Sequence, residues 1–131
     1  MSNRAHLVIA LVLAIAPVLA AHAQDSDGDS IADVSDNCRE QANPSQDDAD
    51  ADGYGNICDA DLNNSGTVTA ADFGLLRSVL GQPATFSPLA AAADIDGTGT
   101  VTAEDFGLLR ARLGTAPGPS GLHPNCPPTC P

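Results

Sequence analysis

Apolar positions change their spacing twice along the chain. Leu7 to Leu19 is a near-continuous apolar run, broken only by Pro17, behind a short polar start that contains Arg4 and His6. From Asp25 to Asp61 apolar residues are sparse and acidic residues alternate, as in Asp25-x-Asp27-x-Asp29 and Asp48-x-Asp50-x-Asp52. Beyond Thr69 the spacing turns to threes and fours. Phe73, Leu76 and Leu80 share one stripe, with Leu75 and Val79 beside it, and Phe106, Leu109 and Leu113 repeat that stripe after Thr102. This period predicts two amphipathic helices. Thr69 and Thr102 stand as N-caps with Asp72 and Asp105 three residues on, and Gly81 and Gly114 are natural stops. Gly74 and Gly107 weaken each helix; a close helix–helix approach would account for them. Ser87 and Pro88 read as the N-cap and first residue of a short helix running through Leu89 to Ala93. The Phe/Leu stripes are assigned to a core formed by two helices face to face, in preference to a ligand groove.

The two predicted helices belong to a repeat. GTVTAADFGLLRSVLG at 66–81 matches GTVTAEDFGLLRARLG at 99–114, an offset of 33 residues, and each copy follows an acidic run. A twelve-residue calcium loop takes ligands at positions 1, 3, 5, 7, 9 and 12, with the backbone carbonyl serving at 7 and glycine normally at 6. With Gly66 and Gly99 at position 6, one loop is Asp61, Asn63, Ser65, Thr67, Thr69 and Asp72, and the next is Asp94, Asp96, Thr98, Thr100, Thr102 and Asp105. Position 8 is Val68 or Val101, where the two loops are expected to pair through an apolar contact. The same ruler fits upstream, with Asp25, Asp27, Asp29, Ile31, Asp33 and Asp36 as one set. Asp48, Asp50, Asp52, Tyr54, Asn56 and Asp59 form another, with Gly53 at its turn. The first set has Ser30 at position 6, where a side chain strains a turn that needs positive φ.

Calcium, a hard ion taking six to eight oxygens, suits alternate carboxylates on a curled loop. Magnesium prefers a tighter octahedron and keeps its waters. Zinc calls for Cys or His ligands, and His123 is the sole histidine after residue 23. The chain carries 17 acidic and 5 basic residues, a net charge of −12, and twelve of the acids lie between Asp25 and Asp61. That balance excludes electrostatic binding to nucleic acid or an anionic membrane and points to cations as partners. The aromatic inventory is Phe73, Phe86, Phe106 and Tyr54 with no Trp, too little for a large apolar core. A small chain of this kind leans on metals or disulfides.

The N-terminal run fits a secretory signal, residues 1–23, cut after Ala21-His22-Ala23. It is shorter than the ~20 residues of a membrane-spanning helix. The exported chain would start at Gln24 and have 108 residues (131 − 23), in an extracellular or periplasmic location where the four cysteines become disulfide candidates. Four cysteines allow three pairings. The Pro/Gly-rich tail, residues 115–131, is expected to be extended or mobile. Cys126 and Cys130 within it can close a small ring, bind a metal with His123, or link two chains, and the ring is the expected outcome.

Residues 25–59, DSDGDSIADVSDNCREQANPSQDDADADGYGNICD, resemble thrombospondin type 3 repeats. The likeness lies in the Asp-rich loops, Asp36-Asn37-Cys38, Asn43-Pro44-x-Gln46 and the Gly53-x-Gly55-x-x-Cys58-Asp59 ending. It implies an irregular fold wrapped around calcium over residues 24–60, ligation by the Asp residues named above, and a Cys38–Cys58 disulfide. Residues 61–114 resemble a type I dockerin, a family of two calcium loop–helix repeats that attaches secreted enzymes, often polysaccharide-degrading ones, to a cohesin. In many members a Ser/Thr pair at loop positions 10 and 11 reads the cohesin. Here those positions are Ala70-Ala71 and Ala103-Glu104.

The expected fold is therefore a small calcium-dependent protein with irregular Asp-rich loops followed by an all-α dockerin-like unit of two loop–helix repeats. The leading functional expectation is a secreted, non-enzymatic calcium-binding module for extracellular attachment or adhesion. The alternative is a docking subunit that binds a cohesin-like partner in a polysaccharide-degrading assembly. No Ser-His-Asp, Cys-His or zinc arrangement follows residue 23, and metal ligation accounts for the paired carboxylates, so no catalytic residue is assigned. The upstream loops carry more carboxylates than the downstream pair and should bind calcium more tightly. Calorimetric titration should show the upstream sites filling first, and the reverse order would overturn this ranking.

Overall fold

The computed structural model describes residues 24–122. The apolar run, the expected cleavage point, His123 and the Cys126/Cys130 pair lie outside the described residues. Three α-helices follow one another: α1 (Ala70–Val79), α2 (Pro88–Ala93) and α3 (Ala103–Ala111). Single turns of 3-10 helix occur at Asn56–Cys58 and Ala84–Phe86. Among the described residues there is no strand, only an isolated bridge between Pro83 and Thr100.

The helix starts obey the sequence pattern. Thr69 and Thr102 each form a complete capping box, with Asp72 and Asp105 returning a bond to the cap backbone. Ser87 caps α2, its hydroxyl accepting from the Ala90 N–H at 3.0 Å, and Pro88 begins the helix without needing a donor. α1 ends at Val79, and Gly81 (φ +80) and Gly114 (φ +83) take the left-handed conformation past the ends of α1 and α3.

The core is built from Leu76 and Val79 of α1, Ala90 and Ala93 of α2, Leu109 of α3, and the loop residues Ala60, Val68, Ile95 and Val101. Phe73, Leu62, Leu89 and Leu108 pack partly buried against it. Leu76, Ile95 and Leu109 are fully buried, each worth about 1.5–3 kcal/mol of transfer free energy. Two expectations need correction. Leu80 and Leu113 are about half exposed because each stands beyond the last turn of its helix, so the stripe closes on Val79 in α1. A Cβ added at Gly74 or Gly107 would meet nothing within 4 Å, so no close helix–helix approach requires these glycines.

Val68 and Val101 are both buried in the shared core, but their backbones do not bond to each other. Val68 donates to Thr115 and accepts from Gly114, while Val101 donates to Gln82 and accepts from Gly81. Each position-8 valine is thus bracketed by the chain that follows the other repeat's helix. This exchange locks the two repeats together without a sheet.

The upstream segment, without helices beyond one 3-10 turn, is held by the Cys38–Cys58 disulfide and by a buried amide network. Asn37 N–H donates to Gln46 Oε1 (2.9 Å), Asn37 Nδ2 to the Gln46 carbonyl (3.0 Å), and Asn43 Nδ2 to Asn37 Oδ1 (2.6 Å). Gly55 lies against this network. A Cβ there would come within 2.5 Å of Asn37 Oδ1 and 2.7 Å of Cys38 Sγ, so only glycine fits.

Two features join the segments. Asn56 Nδ2 donates to the Ala91 carbonyl of α2 at 3.0 Å. Arg112, just past α3, inserts its guanidinium into the upstream segment, donating to the Cys58 carbonyl at 2.9 Å and to the Ile57 carbonyl and Gln41 Oε1. Replacing Arg112 with alanine strands these half-buried acceptors. Arg112→Ala is expected to lower stability by about 2 kcal/mol, and Arg112→Lys should recover little because an ammonium lacks the planar fork. Urea denaturation at constant calcium measures both.

Candidate metal centres

The four predicted loops share a backbone conformation. Positions 4 and 6 have positive φ in every one: Gly28 (+82) and Ser30 (+78), Ala51 (+60) and Gly53 (+94), Asn64 (+55) and Gly66 (+88), Gly97 (+68) and Gly99 (+92). Ser30 and Ala51 therefore hold a conformation that glycine adopts more easily. The physical reason for the turn is a hydrogen bond. In each loop the position-6 N–H donates to the position-1 carboxylate: Ser30 to Asp25 at 3.1 Å, Gly53 to Asp48 at 3.0 Å, Gly66 to Asp61 at 2.5 Å and Gly99 to Asp94 at 2.8 Å. Position-5 carboxylates are oriented the same way upstream, with Ile31 N–H on Asp29 at 2.7 Å and Tyr54 N–H on Asp52 at 2.8 Å.

Three loops gather carboxylates closely enough to hold one ion. Asp25, Asp27 and Asp29 present one oxygen each within 4.8 Å of one another, as do Asp48, Asp50 and Asp52, and Asp94, Asp96 and Asp105. The fourth loop offers two carboxylates, Asp61 and Asp72, with Asn63, Ser65, Thr67 and Thr69 supplying neutral oxygens. Its Ser65 hydroxyl lies 3.2 Å from Asp61 and 3.1 Å from the Thr67 carbonyl, so positions 1, 5 and 7 converge. Thr98 stands likewise between Asp94 and the Thr100 carbonyl at 3.5 and 3.4 Å.

Position 12 differs between the two pairs. In the downstream loops Asp72 and Asp105 are fully buried, and each splits its two oxygens between helix and loop. One oxygen takes the N-cap N–H (Thr69 at 2.7 Å, Thr102 at 2.8 Å) and the other takes the position-3 N–H (Asn63 at 3.2 Å, Asp96 at 3.1 Å). Upstream, Asp36 and Asp59 are fixed by N–H groups two residues on, Cys38 and Asp61, both at 2.8 Å. Asp36 lies near enough to Asp27 for its charge to raise that carboxyl's pKa, after burial and together with Asp29 and Asp25. The upstream position-9 oxygens are engaged by protein donors: Asp33 accepts from Ser26 N–H and Oγ at 2.7 and 2.8 Å, and Asn56 Oδ1 accepts from Ala49 N–H at 2.9 Å. Burial pushes the Asp33 carboxyl upward, but the Ser26 bonds and Arg39, 3.7 Å away, outweigh it and hold it below the usual range.

The donor sets fit a hard cation. Asp27 Oδ2, Asp36 Oδ2 and Asp48 Oδ1 are buried without a hydrogen-bond partner. A bare buried carboxylate oxygen is costly unless a positive charge meets it. Burial likewise pushes the Asp94 carboxyl up, with Asp105 and Asp96 adding to it. It raises Asp59 to about 7, with Asp52, Asp50 and Asp61 contributing repulsion. Asp59 thus stands between the second and third loops.

Sequence reasoning missed the residues that orient these carboxylates. Gln46 Nε2 donates to Asp36 Oδ1 at 2.8 Å and Asn43 N–H to Asp29 Oδ2 at 2.9 Å. The Asn43-Pro44-x-Gln46 motif marked them, without revealing that an amide network holds two carboxylates of the first loop.

Asp59 supplies a pH prediction. Its folded pKa of about 7 lies above the ordinary value near 3.9 for an unfolded Asp, so the metal-free fold binds more protons than the unfolded chain between those limits. Its contribution to the stability of the metal-free protein should be fully present near pH 4 and be lost as pH rises to about 7. Thermal melts in EDTA across this range check the sign, and Asp59→Asn should flatten the slope.

No curated protein and no solved structure matches the chain. Among the described residues no helix is long and apolar enough to cross a membrane. The paired loop–helix repeats do match a family model: residues 59–114 fit the Dockerin type I domain.

Proposed function

We propose that the chain is a calcium-stabilised, non-catalytic docking module that binds a cohesin-like partner through the face shared by α1 and α3. The supporting observation is an open recess of about 650 Å³ lined by Ala70, Phe73, Gly74, Arg77, Leu80, Ala103 and Phe106. Its walls come from equivalent places in both repeats. Ala70 and Ala103 occupy loop position 10, and Phe73 and Phe106 meet edge to face with ring centroids 4.8 Å apart. Phe106 is 39% exposed and Leu80 48%, so the stripes assigned to the core also furnish a surface groove. The Dockerin type I match over 59–114 favours docking over the adhesion reading.

The occupants of loop positions 10 and 11 shape the expected partner. Alanine at 70, 71 and 103 removes the hydroxyls that a Ser/Thr pair would offer. Recognition here rests on apolar contact and aromatic edges, with Arg77 at the rim. Calcium fills the downstream loops through Asp61, Asn63, Ser65, Thr67, Thr69 and Asp72, and through Asp94, Asp96, Thr98, Thr100, Thr102 and Asp105. The upstream segment, thrombospondin type 3-like in its motifs, adds two further calcium loops that brace the module. Export is in keeping with the disulfide, and a polysaccharide-degrading assembly is the setting that the dockerin likeness suggests.

A panel of purified cohesin modules tests this. At least one should bind in calcium and release in EDTA, and Phe106→Asp should weaken binding more than ~10-fold, as for an aromatic at the centre of an interface, with helical circular dichroism unchanged. Failure of every cohesin to bind the calcium-loaded chain would remove the docking reading. Calcium calorimetry separately tests the metal sites.

A further inference from the structure

The chain after α3 was expected to be extended or mobile, but residues 115–122 run back across the upstream loops. Gly118 N–H donates to the Cys58 carbonyl at 3.1 Å, Pro119 accepts from Arg39 N–H at 3.0 Å, and Gly121 N–H donates to the Asp36 carbonyl at 2.7 Å. Ser120 is 2% exposed, and its hydroxyl donates to the Gly53 carbonyl at 2.6 Å. The fit is close. A Cβ on Gly118 would lie 2.7 Å from the Tyr54 ring, and one on Gly121 would lie 1.8 Å from the Asp33 carbonyl oxygen.

We infer that this strap is a positioning element for both upstream calcium loops, through which the C-terminal end of the helical unit raises their affinity without supplying a ligand. The inference rests on the reading that these loops take calcium. Asp33 and Asp36 belong to the first loop and Gly53 and Tyr54 to the second, so one short segment fixes both. It engages backbone carbonyls in these loops and leaves the carboxylates free. Gly53 is the turn residue directly before the position-7 carbonyl of Tyr54. Asp36 carries a buried carboxylate oxygen with no hydrogen-bond partner, and anchoring its main chain keeps that oxygen where an ion would meet it. Like-charged carboxylates drive an empty loop apart; a strap that holds the backbone closed reduces the reorganisation that binding requires.

Tyr54 makes the test direct, since it is the sole tyrosine and the chain has no Trp. Its fluorescence is followed during calcium titration of the chain from Gln24 onward, with helical circular dichroism recorded on the same samples. Ser120→Ala removes one hydroxyl and should move the Tyr54 midpoint to about 5-fold higher calcium, the equivalent of one hydrogen bond. Gly121→Ala should move it further, and the calcium-dependent dichroism of the helical unit should keep its midpoint in both variants. A Tyr54 midpoint unchanged in Ser120→Ala and Gly121→Ala would overturn the inference while leaving the calcium sites standing. Equal shifts at Tyr54 and in the dichroism would also overturn it, by showing general destabilisation. Absence of any calcium response at Tyr54 in the parent chain, together with missing upstream heats in calorimetry, would overturn the calcium reading of these loops and the inference with it. Should Gly121→Ala fail to fold, Ser120→Ala alone decides.

Discussion

Everything in this fold depends on holding like-charged carboxylates together. Each loop fastens its first aspartate with a backbone N–H from position 6, which forces two left-handed residues per loop. Those bonds stabilise the carboxylates one at a time. They do not cancel the repulsion among Asp25, Asp27 and Asp29, or among Asp48, Asp50 and Asp52. A divalent cation would, and its binding energy would then become folding energy. The helices inherit this dependence. Asp72 and Asp105 close a loop with one oxygen and start a helix with the other, so the charge balance of a loop is felt at the N-terminus of α1 or α3.

The upstream and downstream halves form one structure because the chain after α3 returns to the disulfide segment. Arg112 binds the Cys58 and Ile57 carbonyls, and the residues that follow add backbone bonds to Cys58, Arg39 and Asp36. Asp59 contributes from the other side: it ends the second loop, and Asp61 of the third loop donates to it. The family match starting at Asp59 includes that shared point. Compactness here comes from hydrogen bonds to main chain, as suits a sequence with so few aromatic residues.

The loop turns and helix starts were legible because each is a local rule. Ligand spacing requires alternate residues, position 6 requires positive φ, and a Thr-x-x-Asp box starts a helix; Ser30 kept the predicted geometry at φ +78 despite its side chain. What stayed hidden is non-local. Leu80 and Leu113 fit the apolar stripe, and only the helix ends show that they fall outside it. Gly74 looked like a packing contact and instead borders an open recess. A Pro/Gly-rich segment reads as mobile because composition cannot show that Gly118 and Gly121 are small in order to lie against Tyr54 and Asp33.

The repeat itself held a clue to the hidden part. Across the 33-residue offset the capping Thr and Asp residues are kept, and from position 6 of the loops to the glycine after each helix the differences fall at Ala71/Glu104, Ser78/Ala111 and Val79/Arg112. Val79 is core, whereas Arg112 leaves the core to bind the upstream segment. One repeat therefore closes the helical unit and the other opens it toward the upstream Asp-rich loops. The Ala71/Glu104 difference falls at the other end of the helices, in their first turns. Glu104 accepts from the Thr102 hydroxyl at 2.7 Å and stays exposed, while Ala71 is neutral. The start of α3 thus carries an exposed carboxylate that the start of α1 lacks. The departures from repeat identity, more than the identities, thus make the two ends of the helical unit chemically distinct.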